Sequence, residues 1–323
     1  MPTLTEQLTK YLTDAHSIEE QALAQLRVAP RMAGDPQLAA TFREHLTETE
    51  DQERRIRERL EAHDATPSKV KDIVMQAGGV GFALFAKAQP DTPGKLAAHA
   101  YSYEHLELAS YELLLRVAER AGDDETAAIA RDIREQERAM GERLAASFDR
   151  AAQASLAVKG SDDPREDVVK YLADAHAIEA QAIQLLQRGQ KIAGDPELEA
   201  IYREHLDETR EQQRLLEQRL QAVGGSPNKL KDAAMRVGAL NWGVFFASHP
   251  DTPGKLAAFA YAFEHLEIGG YELLRRVAMR AQDEETARLA VTIAAQERAA
   301  AARIAGAWDR AVDASLREVG AAA

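Results

Sequence analysis

The chain repeats itself at a fixed offset of 160 residues. Tyr11-Leu12 and Tyr171-Leu172 each open a Tyr-Leu-x-Asp-Ala-His-x-Ile-Glu run, and the offset holds without a gap to Ala154-Ser155-Leu156 and Ala314-Ser315-Leu316. Roughly half of the paired positions are identical, so each copy is expected to be a folding unit of ordinary domain size. The expected division is repeat 1 at 1–156, a polar linker at 157–166 and repeat 2 at 167–319. The duplication also supplies an internal comparison. A side chain held in both copies answers a shared demand, whereas one that changes freely sits on a tolerant surface.

Ala, Leu, Glu, Gln and Arg dominate, aromatic residues are sparse, and apolar positions recur three and four apart, the pattern of amphipathic helices. In repeat 1 helices are predicted from about Leu4 to Leu26, from Pro36 to about Ala62, from Asp91-Thr92-Pro93 to about Ala121, and from Gly122-Asp123 to about Ala152. Asp35 is placed to cap and Pro36 to take the first helical position, where a missing N–H is harmless. The same starts recur at Gly194-Asp195-Pro196 and Asp251-Thr252-Pro253. Between Pro67 and Pro90 runs a connection too long for a hairpin turn, with the short helical pattern KVKDIVMQ and the apolar run GVGFALFA. Two helix pairs joined by a long crossover predict an all-α fold of two four-helix bundles in tandem, in the ferritin-like variant. A plain up-down bundle is the alternative.

Bulk properties remove several classes of function. A net charge of -13 argues against nucleic acid or an anionic membrane as partner. Without cysteine there is no disulfide framework, thiolate zinc site or iron–sulfur cluster, so any redox metal must be held by Glu, Asp and His. The amino terminus has no secretory pattern and no stretch approaches the roughly 18 apolar residues of a membrane span. The expectation is a cytoplasmic protein.

Acidic residues stand where an apolar seam is expected. On the first helix Leu12, Ala15, Ala22 and Leu26 share a face with Glu19, whose counterpart is Glu179. The second helix aligns Leu38, Phe42, His45, Glu48 or Thr49, Gln52 and Ile56, and repeat 2 keeps His205 and Glu208. On the third, YSYEHLELASYELL sets Glu104 and Glu107 along the seam, matched by Glu264 and Glu267; on the fourth, Glu137 lies in line with Ile133, Met140 and Leu144, matched by Glu297. Meanwhile Glu20, Glu50, Glu135 and Glu142 become Ala180, Arg210, Ala295 and Ala302. Isolated buried carboxylates cost several kcal/mol or protonate, and no inward Lys or Arg is evident. A pair of cations would supply the missing charge, and an oxygen-rich, thiol-free donor set suits iron or manganese. The alternative is a polar network closed by Tyr, Gln and water. His16 and His105, with His176 and His265, lie toward the edges of their stripes, as supporting or surface histidines. Tyr101 and Tyr111 read as core aromatics, and Gln52 and Gln212 as hydrogen-bonding support.

The runs DAHSIEEQ, REHLTETEDQ, YEHLELASYELL and the fourth-helix QER closely resemble the YciE/YciF-type ferritin-like proteins, over essentially all of both repeats. The resemblance implies a ferritin-like bundle, association with bacterial stress responses and a dinuclear metal site, with no biochemical activity firmly assigned. It also implies that this chain is a covalent pseudo-dimer of a single-repeat protein; further self-association stays open. The implied site falls on Glu19, His45, Glu48, Glu104, Glu107 and Glu137 and on Glu179, His205, Glu208, Glu264, Glu267 and Glu297. One departure from the wider ferritin-like pattern is that the second helix reads His45-x-x-Glu48 and the fourth pairs Glu137 with Met140, not His, three residues on.

The expected function is that of a stress-response protein with two iron or manganese ions per repeat. Its chemistry would be metal redox with oxygen or peroxide as the small oxidant, either ferrous oxidation or peroxide removal. Glu48, Glu107 or Glu137 would bridge, and His45 would be a terminal ligand. The rival expectation is a stress-induced interaction module with a structural metal or none.

Overall fold

The computed structural model describes residues 2–66, 92–159, 163–227 and 252–321. Among these residues there are ten helices and no strand. Repeat 1 contains α1 (Leu4–Leu26), α2 (Ala29–Met32), α3 (Pro36–Ala62), α4 (Thr92–Ala121) and α5 (Asp124–Lys159). Repeat 2 contains α6 (Pro164–Ile192), α7 (Pro196–Ala222), α8 (Thr252–Arg280), α9 (Glu284–Ala305) and α10 (Trp308–Glu318). Two compact units divide between Gly160 and Ser161.

The helix starts follow from their capping residues. Thr3 and Glu6 form a reciprocal capping box before α1, which satisfies two otherwise orphaned backbone donors. Asp35 Oδ1 accepts from the Gln37 and Leu38 amides at 3.0 and 2.8 Å, and Asp195 does the same for Glu197 and Leu198. In repeat 1, α1 packs on α3 and α4, and α5 packs on the same two helices. Hence α3 and α4 occupy diagonally opposite corners of a four-helix bundle. In repeat 2, α6 and α9 pack on α7 and α8 in the same way. The helix expected at KVKDIVMQ and the run GVGFALFA lie outside the described residues. Leu12, Leu38, Phe42, Ile56, Leu60, Leu114, Ile133 and Met140 fill the first core, each contributing about 1.5–3 kcal/mol of burial.

Three boundaries differ from the sequence expectation. The fourth helix runs past Ala152 to Lys159. Because Asp163 caps the Arg165 amide and Pro164 begins α6, only 160–163 of the expected linker 157–166 lies between helices. The repeats also break at different places. Arg27 and Val28 separate α1 from α2, whose second residue is Pro30, whereas Gln190 at the matching position lets α6 continue to Ile192; proline lacks the N–H an unbroken helix would use. Conversely, α5 is continuous through Ala146, but Gly306 in its place ends α9, in keeping with the low helix propensity of glycine.

Gly34 has φ +65, and a Cβ there would stand 2.7 Å from Pro93 Cγ; Gly194 repeats this against Pro253 at 2.9 Å. These glycines let the turn before α3 or α7 dock on the start of α4 or α8. Gly306, in contrast, is right-handed helical with φ -67. Gly34→Ala and Gly194→Ala are therefore each expected to destabilise by at least about 1 kcal/mol. Gly306→Ala is expected to stabilise by about 0.4–1 kcal/mol. Shifts of the urea midpoint in opposite directions check both.

Candidate metal centres

His45 projects from the buried face of α3, and Thr49 one turn on donates its hydroxyl to the His45 carbonyl at 2.9 Å. The two imidazole nitrogens face different surroundings. Nδ1 lies 3.0 Å from Glu48 Oε2 at the half-buried rim. Nε2 faces the interior, 2.9 Å from Glu104 Oε2 and 3.7 Å from Glu137 Oε2. Glu104 and Glu107 come from α4, one helical turn apart, and Glu137 from α5. One donor atom from each of His45, Glu104, Glu107 and Glu137 lies within 4.8 Å of all the others. Repeat 2 gathers His205, Glu264, Glu267 and Glu297 under the same limit. There His205 Nδ1 is 3.1 Å from Glu208, and Nε2 is 2.8 Å from Glu264 and 3.4 Å from Glu297. None of these eight residues is more than 3% exposed.

Only some of the carboxylate oxygens here meet protein donors. His45 Nε2 stands 2.9 Å from Glu104 Oε2, while Glu19 Oε2, Glu107 Oε2 and Glu137 Oε2 are buried without a hydrogen-bond partner. In repeat 2 the same holds for Glu179 Oε2 and both oxygens of Glu267 and Glu297. Burial, reinforced by the neighbouring carboxylates, pushes the Glu107 and Glu267 carboxyls well above their ordinary range. Burial does the same to Glu137 and Glu297 against the opposing pull of His45 and His205. Glu19 and Glu179 are raised to about 8 by burial, although Tyr111 and Tyr271 donate hydrogen bonds to them. Burial alone would lower His45 and His205, but Glu104 and Glu264 beside them prevail and raise both. Buried carboxylates with orphaned oxygens around one imidazole fit a divalent cation, and the all-O,N donor set fits iron or manganese.

A family model described as a domain of unknown function, DUF892, matches residues 3–157 and again 163–317. The chain belongs to the DUF892 family. Protein YciF of Escherichia coli (strain K12) is 28% identical over 148 residues, covering 45% of this chain and 89% of that protein, so YciF corresponds to about one repeat. No solved structure matches the chain.

Within this two-fold DUF892 chain, the residues singled out by sequence fall into three positions. His45, Glu104, Glu107 and Glu137, with their repeat 2 counterparts, are brought together. Glu19 and Glu179 are fully buried beside these groups but outside the sets of four. Glu48 and Glu208 lie at the half-buried rim, outside the sets of four. Glu48 holds the outer nitrogen of His45 and accepts from Arg143 Nη2 at 2.6 Å and Nη1 at 3.3 Å; Arg303 pairs with Glu208 in the same way. The hydrogen bond from His45, with Arg143 adding to it, lowers Glu48 to about 2. These arginines were missed because they reach the rim from a partly exposed position on the fourth helix. Their presence at matching positions of both copies was the available signal.

The supporting residues are also accounted for. Gln52 donates to Glu137 Oε1 at 2.5 Å and to Gln136 at 3.0 Å, while Gln212 donates to Gln296 at 3.2 Å. His105 and His265 bond the Tyr101 and Tyr261 carbonyls at 2.7 Å, and His105 packs against Gly141, so neither joins a cluster. His16, with Nε2 3.1 Å from Glu53, forms a third group with Glu20 and Glu53. Repeat 2 has Ala180 and Gln213 in place of its acids.

The raised carboxyls set a pH dependence for protein freed of metal. Between the unfolded and folded pKa values of such an acid the folded state binds the extra proton, so its stabilisation is present below the unfolded value and lost as pH rises. For Glu19 and Glu179 that window runs from 4.5 to about 8. The lowered Glu48 acts with the opposite sign, but only below 4.5. Chelator-treated protein is expected to unfold at a lower temperature at pH 8 than at pH 6. Glu107→Gln with Glu267→Gln should flatten that slope, as read by calorimetry at the two pH values.

Proposed function

We propose that each repeat holds a dinuclear non-haem iron or manganese centre, and that the protein carries out metal redox chemistry with oxygen or peroxide in a stress response. The observation that carries this reading is the set of orphaned carboxylate oxygens around one imidazole, built twice at the same offset. Glu19, Glu104, Glu107 and Glu137 are four carboxylates, a formal charge that two divalent cations would balance. Consecutive helices α3 and α4 at diagonal corners of a bundle also match the frame on which the ferritin-like carboxylate proteins build such centres. The centre would supply a change of metal oxidation state at a position shielded from bulk water.

His45 through Nε2, with Glu104, Glu107 and Glu137, would hold the metal, and Glu19 borders it. Glu48 and Arg143 fix the imidazole from outside, an arrangement that commonly orients a ligand histidine. Tyr111 and Gln52 hold one oxygen each of Glu19 and Glu137. The site has a single imidazole per repeat, fewer than typical ferroxidases. The absence of cysteine leaves sustained oxidation dependent on a separate electron donor, whereas dismutation of peroxide needs none. The proposed location is the cytoplasm; no helix among the described residues is long and apolar enough to cross a membrane.

The hydrogen bonds from Tyr111 and Gln52 also favour a second reading, in which protonated acids close a polar network and the protein is an interaction module. Metal content separates the two. Protein purified without chelator or affinity metal is expected to carry about two iron or manganese ions per repeat, and Glu104→Ala with Glu264→Ala to lose them, as measured by plasma mass spectrometry. Oxygen uptake or peroxide loss on adding ferrous iron or manganese should disappear in the same variant. Protein that holds only traces and refuses both added metals would instead support the interaction module.

A further inference from the structure

The two clusters share their acids and imidazole but differ in the wall beside them. In repeat 1 a partly enclosed cavity of about 20 Å³ reaches Glu104, lined among others by Gln25, Phe42, His99 and Tyr103. That volume holds about one water molecule. At the matching positions repeat 2 has Leu185, Tyr202, Phe259 and Phe263. Three polar residues have become apolar, and the one phenylalanine has gained a hydroxyl. The Tyr202 ring packs against Gly189, where a Cβ would stand 3.4 Å from its Cδ2; repeat 1 has Ala29 there. The Tyr202 hydroxyl is buried without a hydrogen-bond partner and lies within the field of the Glu264 charge. A buried tyrosine hydroxyl ordinarily finds a partner. The oxygen that Tyr202 adds relative to Phe42 is an atom of about the size of the repeat 1 void.

We propose that the repeat 1 cavity admits a small oxygen ligand, namely water, dioxygen or hydrogen peroxide, to Glu104, and that Tyr202 closes the same route in repeat 2. The chain then carries one centre open to exogenous ligand and one closed centre, the closed one serving to hold metal and stabilise its bundle. The division into reactive and closed centres rests on the metal reading; the difference in solvent access does not.

The test uses the full chain with Phe42→Tyr and Tyr202→Phe, each replacing a residue by the one its sister repeat already tolerates. A crystal structure of metal-free protein is expected to show an ordered water within hydrogen-bonding distance of Glu104 and none beside Glu264. Phe42→Tyr should expel that water, and Tyr202→Phe should admit one at Glu264. Nitric oxide, a two-atom probe, is expected to bind the ferrous-loaded chain in two phases. The fast phase should vanish in Phe42→Tyr and the slow phase should quicken in Tyr202→Phe, with metal content unchanged in both. Water beside both glutamates or neither, or a single nitric oxide phase insensitive to either substitution, would overturn the proposal. Failure of either repeat to take up metal would count against the centres themselves, while the solvent pattern still decides the cavity.

Discussion

The constraint on which the rest of the molecule depends is the cost of taking carboxylates out of water. Glu19, Glu107 and Glu137 are each less than 2% exposed, and a buried ion carries an effective penalty of several kcal/mol, against a typical net stability of about 5–15 kcal/mol for a folded protein. The bundle therefore cannot hold these acids as free anions. They are either protonated, as their raised pKa values indicate, or balanced by cations. On α1, Leu12 and Ala15 precede Glu19 and Ala22 and Leu26 follow it, all buried, so packing fixes the helix while the site beside it still lacks charge. Metal occupancy and bundle stability are thereby the same question, because anything bound only by the folded state stabilises it.

A layer of polar contacts directs that charge. Glu48 beside Nδ1 and Glu104 beside Nε2 both favour a doubly protonated imidazole in metal-free protein. Glu48, kept ionised by Arg143, holds the Nδ1 side of the imidazole, so Nε2 is the nitrogen that would serve a metal, with loss of its proton. Uptake would then release protons from His45 and from the acids around it. The arrangement recurs at His205, Glu208 and Arg303, so it belongs to the repeat and not to one accidental contact.

Much of the fold was legible in the residues. The starts of α3 and α7 follow from Asp35 and Asp195 as caps with Pro36 and Pro196 at the first helical position, and the seam positions around Glu19 and His45 are buried as the helical period predicts. The acids were legible because the period placed them among apolar residues and the second copy kept them. Other features were not readable by the same means. Spacing by three sets His45 and Glu48 on one face, but an inward stripe is narrow, and with His45 at its centre Glu48 falls at the rim. Arg143 lies outside the stripe and reaches inward through a long flexible side chain, which periodicity does not register. The end of α5 was set too early, although Ala154, Leu156, Ala157 and Val158 continue a helix-compatible run to Lys159, and Asp163 and Pro164 begin a new helix almost at once.

The duplication itself bears on how such a site can change. In a symmetric dimer of identical chains, every substitution near one centre appears at the other, so a side chain that closes one site closes both. Fusing two copies into one chain removes that coupling. Here the acids, the imidazole and the arginine clamp stay matched, while the neighbours do not: Glu20 and Glu53 face Ala180 and Gln213, and Phe42, His99 and Tyr103 face Tyr202, Phe259 and Phe263. The matched set is the one whose charges must balance in a low-dielectric interior, where losing one member leaves the others uncompensated. The unmatched set lies beside the clusters: Glu20 and Glu53 at a half-buried surface, and Phe42, His99 and Tyr103 along the repeat 1 cavity. Divergence between the copies has therefore fallen on neighbours of the clusters and not on the residues whose charge must be balanced, which is the pattern expected of two sites that keep one set of charged groups.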